Sequence, residues 1–280
     1  MKIKLNRFFI LLIGTLLFSG SVYAQRGGET QYANPLLPSK KATPIYFGPA
    51  GGVNIMGHSM DKPTIEQCNV FQSAAGLGIY AGLTLERLFG DVATSSSSVI
   101  FRVLFNMYPG TNTIDDIPYN AYDPINDRPV STTVQDGLDI SYNAVTFEVM
   151  YKINPIPAMG LGIVVGPAID YILTKNVKQK YSILTPTNAQ FPLDLLDKYP
   201  GAIFEDEYRR IAIIYDGEIE EASSIRFGIK AGVQYEILLG SKLYIAPALA
   251  YNFGITNVTT TKHSWRVSPI QIGMDLRFAF

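Results

Sequence analysis

The sequence predicts an all-β chain, an antiparallel eight-stranded transmembrane β-barrel with long extracellular loops. Eight segments alternate apolar with polar or small residues at period two, the spacing that sends successive strand side chains to opposite faces. The links between those segments alternate long and short. Beyond the N-terminal region, no stretch is apolar over the roughly 18 residues that mark a spanning helix. A chain of this kind crosses a bilayer only as strands, in a barrel whose backbone groups satisfy one another.

The N-terminal region reads as a secretory signal peptide over 1–24. Lys2, Lys4 and Arg7 precede the apolar run Phe8–Phe18, and Val22 and Ala24 stand at −3 and −1 of a cut before Gln25. Residues 25–44 are polar and contain proline, and read as a periplasmic lead-in to a barrel over 45–280. The net charge of −1 gives no reason to expect a nucleic-acid partner. Cys68 is the single cysteine and has no partner for an internal disulfide.

The segments fall at 45–57, 74–87, 98–108, 139–152, 159–174, 223–237, 241–254 and 266–280. In the last, Ile270, Ile272, Met274, Leu276, Phe278 and Phe280 share one face, and Gln271, Gly273, Asp275 and Arg277 share the other. In the third, Val99, Phe101, Val103, Phe105 and Met107 exclude Arg102 and Asn106. A soluble sandwich with one wet face also alternates in this way. Segments of about 11 to 16 residues, long outer loops, short turns and an even strand count decide for a barrel. The alternative is ten strands, with 180–184 and 209–215 as an added hairpin. Both pieces sit among acids and are short, so they read as extensions of the fifth and sixth segments above the membrane. Pro49, Pro167 and Pro247 fall on the apolar face, where bulges or kinks are expected because proline cannot donate to the ladder.

On these features the chain resembles the small outer-membrane barrels of the OmpA/OmpX shape, and more closely the porin-like, PorT-type outer-membrane β-barrel family. The resemblance covers about 45–280. Its most specific element is an assembly signal at the C-terminal strand, carried by Gln271, Gly273, Leu276, Phe278 and Phe280. The resemblance implies residence in the outer membrane of a Gram-negative bacterium, contact with outer-membrane lipid and lipopolysaccharide, and insertion by the barrel-assembly machinery.

With the apolar face outward, the opposite face lines a lumen. It carries Glu86, Glu148, Asp170, Glu236 and Asp275 against Arg102, Arg226, Lys230 and Arg277. Mutual pairing is expected, because a lone buried charge costs several kcal/mol. Glu86, Arg102 and Glu148 follow one another on neighbouring segments, and Asp170 and Arg226 sit on the adjacent fifth and sixth segments, both toward the extracellular end. Many lumen positions are small, leaving room for Tyr46, Tyr80 and Tyr244, so the barrel is expected to be closed or very narrow.

Little points to catalysis, to a cofactor or to a metal. His58 and His263 each precede a serine, Ser59 and Ser264, but adjacent strand residues face opposite sides and form no dyad. The second and third loops are acidic, with Asp115, Asp116, Asp123, Asp127, Asp136, Glu205, Asp206, Glu207, Glu218, Glu220 and Glu221. They also carry Tyr119, Tyr122, Phe191, Tyr199, Phe204 and Tyr208, aromatics suited to a protein-binding surface. The leading expectation is a non-enzymatic structural or interaction component that uses these loops to hold an envelope partner, as a subunit of an envelope or secretion complex. A narrow channel for small solutes and a rim lipid hydrolase are the alternatives. Deletion of Phe278–Phe280 is expected to cause an assembly defect. Normal heat-modifiable migration of that truncation on a gel would count against the barrel reading.

Overall fold

A computed structural model describes residues 45–60, 71–89, 95–156, 160–219, 221–240, 242–260 and 264–279. The expected signal peptide, the lead-in, Cys68, Glu220, His263 and Phe280 lie outside the described residues. Eight strands carry the architecture: β1 (Ile45–Met60), β2 (Ser73–Leu88), β3 (Ser97–Met107), β5 (Arg128–Ile156), β6 (Leu161–Thr185), β9 (Ile225–Tyr235), β11 (Leu243–Gly254) and β13 (Ile270–Ala279). Each pairs antiparallel with the next in that order, and β13 pairs back onto β1. The hydrogen-bonded pairs therefore run in a ring. This is an antiparallel β-barrel.

Alternation sets the two faces. One residue per strand shows the outer one: Phe47, Ile79, Phe105, Phe147, Val165, Ile229, Leu249 and Met274 are all exposed. Charged residues of the opposite parity, among them Glu86, Arg102, Glu148, Arg226 and Asp275, turn inward and are buried, while Arg87 near the end of β2 stays exposed. The distribution is the inverse of a soluble domain, with charges inside and apolar side chains outside.

The remaining elements lie beyond the ring. Residues 110–138, expected as loop, hold β4 (Gly110–Asp123), which pairs with the first part of β5. Two acids, a proline and a bulge between Ile114 and Ile117 mask the alternation in β4. In β5, Val130, Thr132, Val134, Leu138 and Ile140 do alternate, and β5 is continuous for 29 residues. The piece at 180–184 is a continuation of β6, which runs for 25 residues. The piece at 209–215 contributes to β8 (Ile211–Glu218), a separate strand that lies along β6 beyond β9. It adds no member to the ring.

These parts form a blade. β4, the first half of β5, the second half of β6, β8 and the short β7 (Ile203–Phe204) make one sheet. Residues 186–204, with the single-turn α1 (Leu195–Lys198), fold back over one face of it. They enclose a core of Val134, Tyr181, Ile183, Phe191, Leu195 and Ile214 among others. Between Glu236 and the start of β11, β10 (Ile237–Gly240) pairs back onto β11. The last segment is broken at Ser268–Pro269 into β12 (Trp265–Val267) and β13, both in register with β1.

The strand prolines correct an expectation. Register is unshifted across Pro49, Pro167 and Pro247, so no bulge accommodates them. Instead the ladder skips on one side. β1 loses its partners to β13 at Gly48 and Pro49, and β6 loses its partners to β5 at Gly166 and Pro167. Glycine beside Pro49 and Pro167 lets the backbones stay close: a Cβ on Gly48 would meet the Leu276 carbonyl, and one on Gly166 the Val149 carbonyl, whereas Pro247 stands between Ala246 and Ala248. Gly166→Ala is therefore expected to cost about 1–3 kcal/mol through overpacking. Pro167→Ala should change stability by less than about 1 kcal/mol. Urea titration of the folded and unfolded bands on a gel measures both.

Candidate functional site

The lumen is filled by charge. All nine ionisable residues expected there are buried: Glu86, Arg102, Glu148, Asp170, Arg226, Lys230, Glu236, Asp275 and Arg277. Lys152 joins them, fully buried, and was missed by the sequence reading. It shares the inward parity of Glu148 four residues earlier, so alternation extended through the end of that strand would have found it. With it the described lumen holds five acids and five bases.

Near the short-turn end four of these groups close a square. Glu86 on β2, Lys152 on β5, Glu236 just after β9 and Arg277 on β13 come from alternate strands of the ring. Lys152 Nζ contacts both Glu86 Oε1 and Glu236 Oε1. Arg277 Nη1 lies 2.5 Å from Glu86 Oε2 and 3.6 Å from Glu236 Oε1. Each acid thus meets both bases and each base both acids. Ser98 adds a hydroxyl donor to Glu86 at 2.5 Å.

From this square the network climbs through the lumen. Arg277 Nη2 and Arg102 Nη2 each donate to Asp275 Oδ2 at 2.6 Å. Arg102 also stands 3.8 Å from Glu148, which Lys230 contacts from the other side. Arg102 faces Glu148 directly across the β3–β5 ladder, as the sequence order suggests. Glu86 does not join Arg102: it faces Ile100, two residues deeper, and takes Lys152 and Arg277 instead. An uncharged layer follows. Gln271 Nε2 donates to Asn54 Oδ1 at 2.8 Å and to Asn106 Oδ1 at 2.9 Å, and Asn106 donates to Thr146 at 2.7 Å.

Asp170 and Arg226 form the top pair, opposite each other on β6 and β9. Arg226 donates to Asp170 Oδ2 from Nε at 2.9 Å and from Nη2 at 2.5 Å. Its guanidinium lies over the rings of Tyr108 and Tyr142, 5.4 and 5.8 Å from their centres, a cation–π arrangement. Above it Met56, Met60, Phe71, Leu138, Trp265 and Val267 belong to an apolar cluster that closes the loop end. At the other end Tyr46 and Tyr244 meet edge to face at 5.3 Å beneath the square. The cavity there, lined by both tyrosines, Glu86, Glu236 and Arg277, is about 10 Å³, room for about one water.

A repeat accompanies the square. Gly78-Ile79-Tyr80-Ala81-Gly82 leads to Glu86 on β2, and Gly228-Ile229-Lys230-Ala231-Gly232 leads to Glu236 after β9. These strands stand opposite each other in the ring, so equivalent sequences deliver the two acids of the square from opposite walls.

His58 is buried rather than at an open rim. Trp265 Nε1 donates to its Nδ1 at 3.3 Å, which leaves Nε2–H to donate to the Pro109 carbonyl, also at 3.3 Å. Both ring nitrogens are engaged, and Ser59 points to the opposite, exposed side. The residues expected to recruit barrel assembly sit on both faces of β13. Gln271 faces the lumen, while Phe278 is exposed on the outer face.

The loop aromatics are mostly core, a second correction. Phe191 and Tyr199 are buried, Tyr119 packs on Phe191 at 5.4 Å, and only Tyr208 is well exposed. Burial pushes the Tyr119 phenol up to about 12, so it stays protonated. Some of the acids are structural too. Asp136 is buried and accepts Gln179 Nε2 at 2.9 Å. Asp123 accepts the Asn126 side chain at 2.7 Å and the Ile125 amide at 3.0 Å, and these bonds hold its carboxyl below the usual range. Among the described residues, no three His, Cys, Asp or Glu side chains gather as a metal site.

No family model and no curated protein matches the chain. Among solved structures, it is similar to Neisserial surface protein A at 14% identity, covering 85% of this chain and 99% of that one, with a TM-score of 0.37. OprG, an outer membrane protein of Pseudomonas aeruginosa, is 11% identical, with 86% and 97% covered and a TM-score of 0.34. Ail, the attachment invasion locus protein of Yersinia pestis, is 11% identical, with 83% and 98% covered and a TM-score of 0.33. Likeness at this level adds nothing to the strand pairing as evidence for the fold.

Within the square, loss of one partner leaves an uncompensated buried charge. Lys152→Met should destabilise the barrel by about 3–5 kcal/mol. Lys152→Met with Glu236→Gln should recover part of that loss, since it removes one charge of each sign. A double-mutant cycle read by urea unfolding gives the coupling, and strictly additive effects would show that the two groups do not interact.

Proposed function

We propose that the protein is a non-enzymatic outer-membrane β-barrel, closed to solutes, that carries a folded blade outside the cell as its interaction surface. One observation supports this above the rest: every strand of the ring exposes large apolar side chains around a lumen of paired charges. An apolar belt of this extent is not tolerated in water, and monomeric soluble proteins rarely expose patches beyond a few hundred Å². Tyr151 and Tyr235 flank the belt toward the short turns, and Tyr171 and Tyr251 toward the loops, where interfacial girdles belong. With short turns inside, the blade stands on the cell surface.

The same side chains support a closed lumen. Among the described residues, the square and the tyrosine pair cover one end, the Trp265 cluster covers the other, and the charge network bridges the interior between them. This places the narrow channel behind the closed barrel as a reading. The bonded nitrogens of His58 leave the rim hydrolase without a free base at that residue. Signal-peptide export, insertion by the barrel-assembly machinery, lipopolysaccharide contact, PorT-type membership and an envelope-complex role remain parts of the proposal.

Purified protein should run as a heat-modifiable band and stay silent in planar bilayers. Stable, large unitary currents would overturn the closed reading. A band whose migration is unchanged by boiling would overturn the barrel in the membrane.

A further inference from the structure

The blade carries few large apolar side chains that water can reach. Ile125, Leu193, Ile203 and Tyr208 are those on its described residues, with exposures of 76, 64, 56 and 69%. Three of them are borne by segments that meet at one backbone junction at the far end, away from the ring. Gln190 exchanges backbone hydrogen bonds with Tyr122 at 2.9 and 2.8 Å, and the neighbouring Phe191 amide donates to the Arg209 carbonyl at 2.8 Å. Arg209 Nη2 returns to Gln190 Oε1 at 2.7 Å. Ile125, Leu193 and Tyr208 each lie within three residues of a member of this junction.

The segments that present them are held in place. Asp123 ties the turn that carries Ile125 through the Ile125 amide and the Asn126 side chain, and receives Asn188 at 3.3 Å. Tyr122 donates to Asp127 at 2.5 Å across the same turn. Asp206 Oδ1 accepts the Arg210 and Ile211 amides at 2.7 and 2.9 Å, which fixes the turn of Tyr208. Leu193 follows the buried Phe191 and precedes the buried Leu195. These side chains are held out into solvent by a built frame, and a pre-organised apolar contact loses little entropy on binding.

Charge selects the occupant. Over 119–128 and 186–210 the chain has seven acids and four bases, and Asp127, Asp194, Asp197 and Glu207 are exposed. A second copy of the same tip would bring like charges together, which disfavours self-association. The absence of a three-ligand acidic group among the described residues disfavours a cation as the target. We propose that the tip of the blade binds a cationic polypeptide segment with interspersed apolar side chains, seated on Ile125, Leu193 and Tyr208. The proposal rests on the reading of the blade as extracellular, and the test separates the two.

In a Cys68→Ser background, Ile125→Cys on intact cells should react with a membrane-impermeant maleimide. Labelling only after permeabilisation would overturn the extracellular placement. Binding is then measured with the full chain in zwitterionic nanodiscs, against empty nanodiscs, using a fluorescent alternating Lys–Leu peptide and a Lys–Ser peptide of equal charge. The Lys–Leu peptide should bind at least tenfold more tightly than the Lys–Ser peptide. Ile125→Ser, Leu193→Ser and Tyr208→Ser together should cost at least tenfold, with heat-modifiable migration unchanged. Asp194→Asn, Asp197→Asn and Glu207→Gln together should weaken binding and flatten its dependence on salt. Equal binding of the two peptides, or undiminished binding by the triple serine variant, would overturn the docking site. Concentration-dependent self-association that the serine variant abolishes would instead assign the tip to a second copy.

Discussion

The structure depends on the cancellation of charge inside the ring. Ten ionisable groups in a narrow interior would each carry a desolvation cost of several kcal/mol if charged and left alone. Here five acids and five bases meet one another, and eight of them form a continuous chain from Glu236 to Lys230. The arrangement requires strand register, since a slip of one residue would turn Glu86, Lys152 or Arg277 to the outer face. Pairing in the lumen and alternation on the wall therefore specify each other.

This dependence explains why much of the fold was legible from residues alone. Wherever one face of a strand must meet its partners across the lumen and the other stays apolar, the period-two pattern is strict. All eight members of the ring overlap the segments expected for them. The paired charges were legible for the same reason, with Asp170–Arg226 and Arg102–Glu148 as direct neighbours. Partners from strands remote in sequence were not. The contacts of Glu86 with Lys152 and Arg277 depend on relative depth, which register fixes and composition does not reveal.

The blade was harder to read because other physics shapes it. β4 carries Asp115, Asp116 and Pro118, residues that signal a turn, and a bulge breaks its alternation. Its pairing comes from the extension of β5 beside it. Phe191 and Tyr199 looked like surface aromatics within an acidic, irregular stretch, yet they supply the core that covers the sheet. No periodicity marks such a segment, because its apolar residues reach inward from turns rather than from regular strands. The sequence supplied acidic and aromatic residues, and tertiary packing decided which of them face outward.

The continuity of β5 has a mechanical consequence. Its 29 residues run unbroken from the blade's far turn to the short-turn end of the ring. A pull on the blade along that axis loads the hydrogen bonds of β5 to β3 and β6 together, in shear, rather than opening them one after another. Tension on the blade would reach the lumen as a force on Glu148 and Lys152, both borne by that strand. The charge network in the lumen would then anchor the strand against that pull.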